Sequence, residues 1–224
     1  KEARSKPIGV FMLAGPPATG KTWFAKVLAE ALYGKDSALI FEMAQLSDGH
    51  AASTLFGSPK GYRGSDSYGT LTAALRDKPD CVIVLDEFEK SDPDLHVRFL
   101  SAWNDGFVTE ASTGEKVSTT DAVFILTTNA AQRQIAELGR QFQDDRDGYS
   151  EACKSALRDT FKPEVLSRID RVFPFLPLKG MDLARIVAKQ LESGIKEFGV
   201  EVEQIDAEVL FGAVEEASRR KADP

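Results

Sequence analysis

The sequence predicts an α/β fold in which a five-stranded parallel sheet is flanked by helices and followed by a small helical segment. Three observations carry this prediction. Short, near-continuous apolar runs alternate with helical patterns. Strands buried on both faces read that way, and strand–helix alternation builds parallel sheets through right-handed crossovers. A glycine-rich segment, Gly15-Pro16-Pro17-Ala18-Thr19-Gly20-Lys21-Thr22, stands between the first apolar run and the first helical pattern. The third apolar run ends in two adjacent carboxylates, Asp86 and Glu87.

The elements follow in order. Residues 8–14 (IGVFMLA) form the first strand. Residues 21–33 follow as a helix, with Phe24, Val27, Leu28, Ala31 and Leu32 at helical spacing and Gly34 suited to its C-terminal end. Residues 38–43 are a second short strand, and residues 70–78 a helix stopped by Pro79. Residues 81–85 (CVIVL) are the third strand. Asp92-Pro93-Asp94 opens a helix running to about Asn104, with an acidic cap and Pro in the first turn. Residues 122–127 (AVFILT) and 171–175 supply the fourth and fifth strands. Two segments break the rhythm. Residues 108–117, with a polar centre and Thr-Gly, read as a hairpin or exposed loop, and the highly charged residues 140–150 read as a mobile excursion. After Pro177, residues 181–198 and 206–220 are amphipathic, with Asp206 as a cap and Val209, Leu210, Ala213 and Val214 on the buried face of the second. The expected organisation is a large domain over residues 1–176 and a truncated small helical domain over residues 177–224.

Composition narrows the function classes. The 224 residues include 42% hydrophobic side chains, enough for a core, and carry a formal net charge of −7. No apolar run approaches the roughly 18 residues of a transmembrane helix, so no membrane partner is expected. The opening Lys1-Glu2-Ala3-Arg4-Ser5-Lys6 is too polar for a signal peptide and lacks Met, which suggests a piece of a longer protein. A pI near 5.0 disfavours a nucleic-acid partner, which calls for a basic face. Cys81 and Cys153 are far apart with no CxxC pair, and His50 and His96 are solitary. Neither a disulfide scaffold nor a zinc site is expected, and the reducing cytoplasm is the default location.

The chemistry lies in three segments. Residues 15–22 fit GxxxxGK[ST] between a strand and a helix, the context the motif requires. Its glycines let backbone N–H groups point at phosphate oxygens, and the helix N-terminus adds a positive dipole end. Lys21 reaches the β- and γ-phosphates, and the Thr22 hydroxyl is placed for Mg²⁺. Asp86 and Glu87 fall at the carboxyl end of a central parallel strand, in the ligand crevice. Asp86 is expected to hold Mg²⁺ and Glu87 to activate the attacking water. The next strand ends Thr127-Thr128-Asn129, where Asn129 is placed to sense the γ-phosphate or the water. The implied ligands are ATP and Mg²⁺.

Intermediate stretches resemble a known family. Glu42-Met43, His50, residues 55–59 (LFGSP) and Gly61-Tyr62-Arg63-Gly64 follow the order found in the second ATPase module of the Clp-family AAA+ unfoldases ClpB and ClpA. Asp86-Glu87-Phe88-Glu89-Lys90 with Pro93-Asp94 resembles the family's DEVEK-x-x-PD. Asn104-Asp105-Gly106 with Thr109 resembles its DDG-x-x-T, and residues 161–170 (FKPEVLSRID) its F-x-PEFLNRID. The resemblance runs from about Pro7 to Leu178. It implies an AAA+ ATPase domain with a partial lid domain, assembled as a homo-oligomeric ring, usually a hexamer, with ATP between subunits. It implies that Arg168 is an arginine finger reaching a neighbour's γ-phosphate, with Arg171 as the nearby competitor. It places Tyr62, within residues 61–64, on a pore loop gripping an unfolded or aggregated polypeptide, and makes residues 108–117 a candidate second pore loop. No Gly-Ala-Arg sensor motif occurs, and the Ile-Gly-Leu-type triplet that docks a peptidase is missing, which disfavours a peptidase partner.

The leading expectation is therefore ATP hydrolysis driving protein unfolding, disaggregation or remodelling by threading through a ring pore. The alternative is a nucleotide-regulated assembly or interaction module, for example in secretion-apparatus remodelling, without robust threading. A nucleic-acid motor is a third class, disfavoured by the acidic balance.

Overall fold

The computed structural model describes residues 4–62, 66–142 and 145–177, with residues 185, 186, 188, 189 and 212 beyond them. Contacts divide the chain into two units, Lys1–Leu176 and Pro177–Pro224. The helices expected at 181–198 and 206–220 lie outside the described residues, apart from those five positions.

Five strands form the main sheet: β1 (Gly9–Ala14), β2 (Ala38–Glu42), β3 (Val82–Asp86), β6 (Val123–Thr128) and β7 (Arg171–Pro174), in the order β2-β3-β6-β1-β7. Every pairing is parallel. The register sets Ala14 beside Thr128 and Leu85 beside Leu126, so the carboxyl ends of β1, β6 and β3 end level with one another. The expected strands at 8–14, 38–43, 81–85, 122–127 and 171–175 are all present, each shifted by no more than a residue or so at its ends.

Both faces of the sheet are covered, and side-chain alternation divides them. Met12, Ile83, Leu85, Phe124 and Leu126 face the larger core. Leu13, Val82, Val84, Val123 and Ile125 face the other. The smaller face is closed by α1 (Lys21–Tyr33) through Ala25 and Ala29, both fully buried. Here the sequence pattern misleads: Phe24, Val27 and Leu32 have the right spacing, yet all three are exposed. Alanines let the helix axis approach the sheet closely, and the larger residues turn outward.

The larger core holds α2 (Ala51–Phe56), α3 (Thr70–Asp77), α4 (Pro93–Asn104), α5 (Gln132–Gln141), α6 (Arg146–Ala156) and α7 (Pro163–Leu166). Its centre is aromatic. Phe99 meets Phe56, Phe88 and Trp103 with centroids 5.5, 5.9 and 5.6 Å apart, and the His96 ring stacks on Phe88 at 4.2 Å. α4 begins as read: the Asp92 side chain accepts from the Asp94 N–H, with Pro93 in the first turn. Asp170 holds the edge strand β7 in place by accepting from Val10 N–H at 2.8 Å and donating its own N–H to Val10 O.

The hairpin at 108–117 is present, as β4 (Phe107–Thr109) paired antiparallel with β5 (Lys116–Ser118). The charged stretch 140–150 departs from expectation. Its described residues belong to the end of α5 and the start of α6. Asp145 caps α6 by accepting from Gly148 N–H at 2.8 Å, and Tyr149 donates to Ile135 O at 2.8 Å. A charged sequence can still form a helix when one face packs; here that face is Ser150 and Cys153. Helix α2 carried no periodic signal, being only six residues long.

These burial assignments make a paired prediction. Phe99→Ala lowers the unfolding free energy by about 3–5 kcal/mol, whereas Leu32→Ala changes it by no more than about 0.5 kcal/mol. Urea denaturation of both variants checks it, and equal losses would contradict the stated orientation of α1.

Candidate active site

The strand order brings three tips to one edge. The loop after β1, the end of β3 and the end of β6 surround a cleft of about 250 Å³, lined by residues 17–23 together with Asp86, Glu87, Thr127 and Asn129. Six of the eight residues of the phosphate-type loop thus line the cleft with both acids and Asn129. Gly15 and Pro16 act from below, through their carbonyls.

Lys21 is the hub. It is buried, and its ammonium donates to Gly15 O at 2.9 Å, Pro16 O at 2.7 Å and Asn129 Oδ1 at 2.8 Å. Burial pushes its pKa below the usual lysine range, and the charges of Glu89, Asp86 and Glu87 act against that shift. Thr19 closes the loop by donating to Pro16 O at 2.9 Å. Gly15 is required by close approach, since a Cβ there would strike the Phe175 carbonyl. Helix α1 begins after Gly20 with no side-chain cap and no acid in its first turn. Its N-terminal dipole therefore faces the cleft uncompensated, as anion binding requires.

On the facing side, Thr22 donates to Asp86 Oδ1 at 2.8 Å, and Thr127 donates to the same oxygen at 2.6 Å. A hydroxyl and a carboxylate so placed are hard oxygen donors of the kind that suit Mg²⁺. Glu87 occupies the left-handed region, with φ 55° and ψ 50°. A non-glycine residue there costs about 1–3 kcal/mol, and such strain concentrates at functional sites. The conformation is held by the Glu87 N–H donating to Thr127 Oγ1 at 2.9 Å. The Glu87 carboxylate accepts from Asn129 Nδ2 at 3.1 Å and from Lys90 Nζ at 2.8 Å. Asn129 therefore links Lys21 to Glu87 through its two amide atoms.

Three residues of the cluster escaped the sequence reading. Thr127 serves both acids at once. Glu89 accepts from Asn129 N–H at 3.0 Å, and its other carboxylate oxygen is buried without a hydrogen-bond partner among the described residues. Lys90 pairs with Glu87. Glu89 and Lys90 follow the acidic pair directly, so proximity in sequence was the available signal; nothing in the sequence marks Thr127 as bonded to Asp86.

The remaining candidates lie elsewhere. Arg168 sits in the turn between α7 and β7, exposed, and is not among the cleft residues. Its guanidinium takes no partner among the described residues. Its competitor Arg171 is bound within the chain, to Asp147. Tyr62 is 71% exposed, and Gly61 before it has φ +90°. Arg63 and Gly64 lie outside the described residues. Cys81 and Cys153 are free and buried, and burial raises their thiol pKa values to about 11 and about 12. They are inert packing residues.

The sheet order and the loop cluster define a phosphate-loop α/β domain. The AAA domain (Cdc48 subfamily) profile matches residues 6–172, and the chain belongs to that family, as an AAA+ ATPase module of the Clp type. It is 38% identical over 189 residues to a protein described as chaperone protein ClpB from Chlamydia muridarum, covering 83% of this chain and 22% of that one. It is 36% identical over 210 residues to the ATP-dependent Clp protease ATP-binding subunit ClpE of Bacillus subtilis, covering 92% of this chain and 30% of that one. A closed-state cryo-EM structure of Hsp104 with ATPγS and FITC casein superposes with a TM-score of 0.71 at 30% identity, over 84% of this chain and 33% of that one. The chain thus spans well under half the length of these relatives.

The buried Thr127 hydroxyl carries a prediction. Thr127→Val keeps the shape but leaves the Glu87 N–H without its acceptor, costing about 1–3 kcal/mol of stability. Urea unfolding measures it, and wild-type stability would show that the Glu87 backbone is held by other means.

Proposed function

We propose that this chain is the ATP-hydrolysing module of a homo-oligomeric ring, a hexamer, which unfolds or remodels polypeptides by threading them through its pore. One observation carries the ATPase part. Lys21, Asn129 and Glu87 form a continuous hydrogen-bonded chain beside the Thr22–Asp86 pair, at the carboxyl edge of the sheet. A cation, a polar relay and a carboxylate are thereby set around one cleft.

Each residue has a role. The loop N–H groups and the α1 N-terminus bind the phosphates. Lys21 exchanges its loop-carbonyl contacts for β- and γ-phosphate oxygens. Thr22 and Asp86 hold Mg²⁺, which when bound neutralises phosphate charge. Glu87 orients the attacking water and takes its proton, and Asn129 fixes the angle of that carboxylate. Arg168, exposed and without a partner among the described residues, reaches the γ-phosphate of a neighbouring subunit. Tyr62 grips the threaded chain by aromatic area, without reading sequence. The casein in the Hsp104 structure supports a polypeptide substrate. Two buried free thiols suit a reducing cytoplasm, and the missing Ile-Gly-Leu-type triplet argues against a peptidase partner.

Three measurements test this reading. Glu87→Gln keeps the contact with Asn129 and retains ATP binding, but lowers turnover by at least about 10²-fold. Unchanged turnover would remove Glu87 from the mechanism. Mixing Arg168→Ala with Lys21→Ala subunits restores turnover at mixed interfaces, because each site then borrows the part it lacks. Verified mixed rings without recovery would overturn the trans assignment. Tyr62→Ala abolishes unfolding of a folded reporter while ATP turnover persists, and wild-type unfolding by this variant would sink the threading claim.

A further inference from the structure

A buried carboxylate outside the active site stands at the base of the Tyr62 loop. Glu110 is 0% exposed and lies in the turn joining β4 to β5. Its Oε2 accepts from Gly69 N–H at 2.9 Å and from the Thr72 hydroxyl, and its Oε1 accepts from Ser112 N–H at 3.0 Å and the Ser112 hydroxyl at 2.6 Å. Burial pushes the carboxyl pKa up, but these four donors outweigh it and hold it below the usual range.

The location gives this network its meaning. Gly57 and Gly69 bracket the segment carrying Tyr62, and they meet at Glu110. Gly57 has φ +82°, and a Cβ there would run into Glu110 Oε1; a Cβ on Gly69 would strike Gly57 N and Leu55 O. The chain therefore leaves at residue 57 and returns at residue 69 through a gap that admits no side chain. The same turn holds both stems. Ala111 N–H donates to Phe56 O at 2.7 Å, and the Tyr68 hydroxyl donates to Glu115. Tyr68 in turn lies under the Arg76 guanidinium, 4.2 Å from its ring centre.

We propose that Glu110 is a positioning residue for Tyr62, clamping the two stems at residues 56–57 and 68–69 to the β4–β5 turn so that the stems and the hairpin move as one body. The inference rests on the reading of Tyr62 as the polypeptide grip. Only a carboxylate fits the position. Each of its oxygens faces one fixed backbone N–H, Gly69 on one side and Ser112 on the other. A glutamine, identical in shape, must turn its own NH₂ toward one of them, and two donors then face each other in a buried site. An aspartate is one methylene too short to reach both.

The test uses the full-length protein and casein as the unfolded polypeptide. ATP turnover is followed against casein concentration, and amide exchange is followed in the peptide spanning residues 57–72. Glu110→Gln raises the half-saturating casein concentration roughly tenfold, the effect of one opposed buried donor. It leaves basal turnover and the KM for ATP within about twofold, and speeds exchange in that peptide and in the one spanning residues 107–118, but not elsewhere. Added to Tyr62→Ala, it has no further effect on casein response. Ser112→Ala, which removes one hydroxyl and keeps both N–H bonds, shifts the same readouts about two- to threefold and serves if the glutamine variant fails to fold. Wild-type exchange in Glu110→Gln, or effects that add to those of Tyr62→Ala, overturn this inference alone. A Tyr62→Ala chain that responds to casein as wild type overturns the grip reading and this inference with it.

Discussion

All five strands of the main sheet run in one direction, and everything at the candidate site follows from that constraint. Parallel strands end together, so the residues that follow β1, β3 and β6 emerge at the same edge. Because β6 lies between β3 and β1, the Thr127 hydroxyl at its end touches the tip of β3 by donating to Asp86 and accepting from Glu87 N–H. From the same strand end Asn129 spans the gap between Lys21 and Glu87. A shift of one residue in the β3–β6 register would turn these side chains to the other face of the sheet. The apolar interior that fixes the register is thus also what aligns the polar edge.

Opposite charges meet at that edge. Asp86, Glu87 and Glu89 surround a single buried ammonium, and burial lowers the pKa of that lysine despite the three acids. Every donor of Lys21 is already used within the chain. A phosphate entering the loop has to displace carbonyl and amide partners, and repulsion from three carboxylates has to be offset by the helix dipole and a metal ion. On the proposed ATPase reading, such a site would favour a metal-bound polyphosphate over a bare anion. The net charge of −7 is compatible with this because the positive elements are local.

Away from the edge, the domain carries a second organised region with a different logic. The β4–β5 turn, the end of α2 and the start of α3 converge on Glu110, a charge with no cationic partner among the described residues, held by the neutral donors Gly69, Thr72 and Ser112. Carboxylates of this kind specify geometry, since removing one leaves several buried donors unsatisfied. The polar edge surrounds an open cleft, whereas the loop base holds two chain segments in a fixed relation.

Local pattern was enough to read the strands, the phosphate-type loop, the acidic pair and the capped start of α4, because each depends on neighbours in sequence: apolar runs, glycine spacing, an Asp before a Pro. The misreadings came where a partner distant in sequence decides the outcome. The exposed face of α1 depends on how closely the sheet allows Ala25 and Ala29 to approach. The charged 140–150 stretch includes helix because Tyr149 finds Ile135 O and Cys153 finds the core. The sequence by itself determined the strands and that the phosphate-type loop, Asp86, Glu87 and Asn129 fall at strand ends. Only the tertiary structure decided that Thr127 joins the two acids, that Arg168 is exposed and outside its own cleft lining while Arg171 is tied to Asp147, and that Glu110 meets Gly57 and Gly69 at the base of the Tyr62 loop. Those relations depend on strand order and on distances across many residues, which no local pattern encodes.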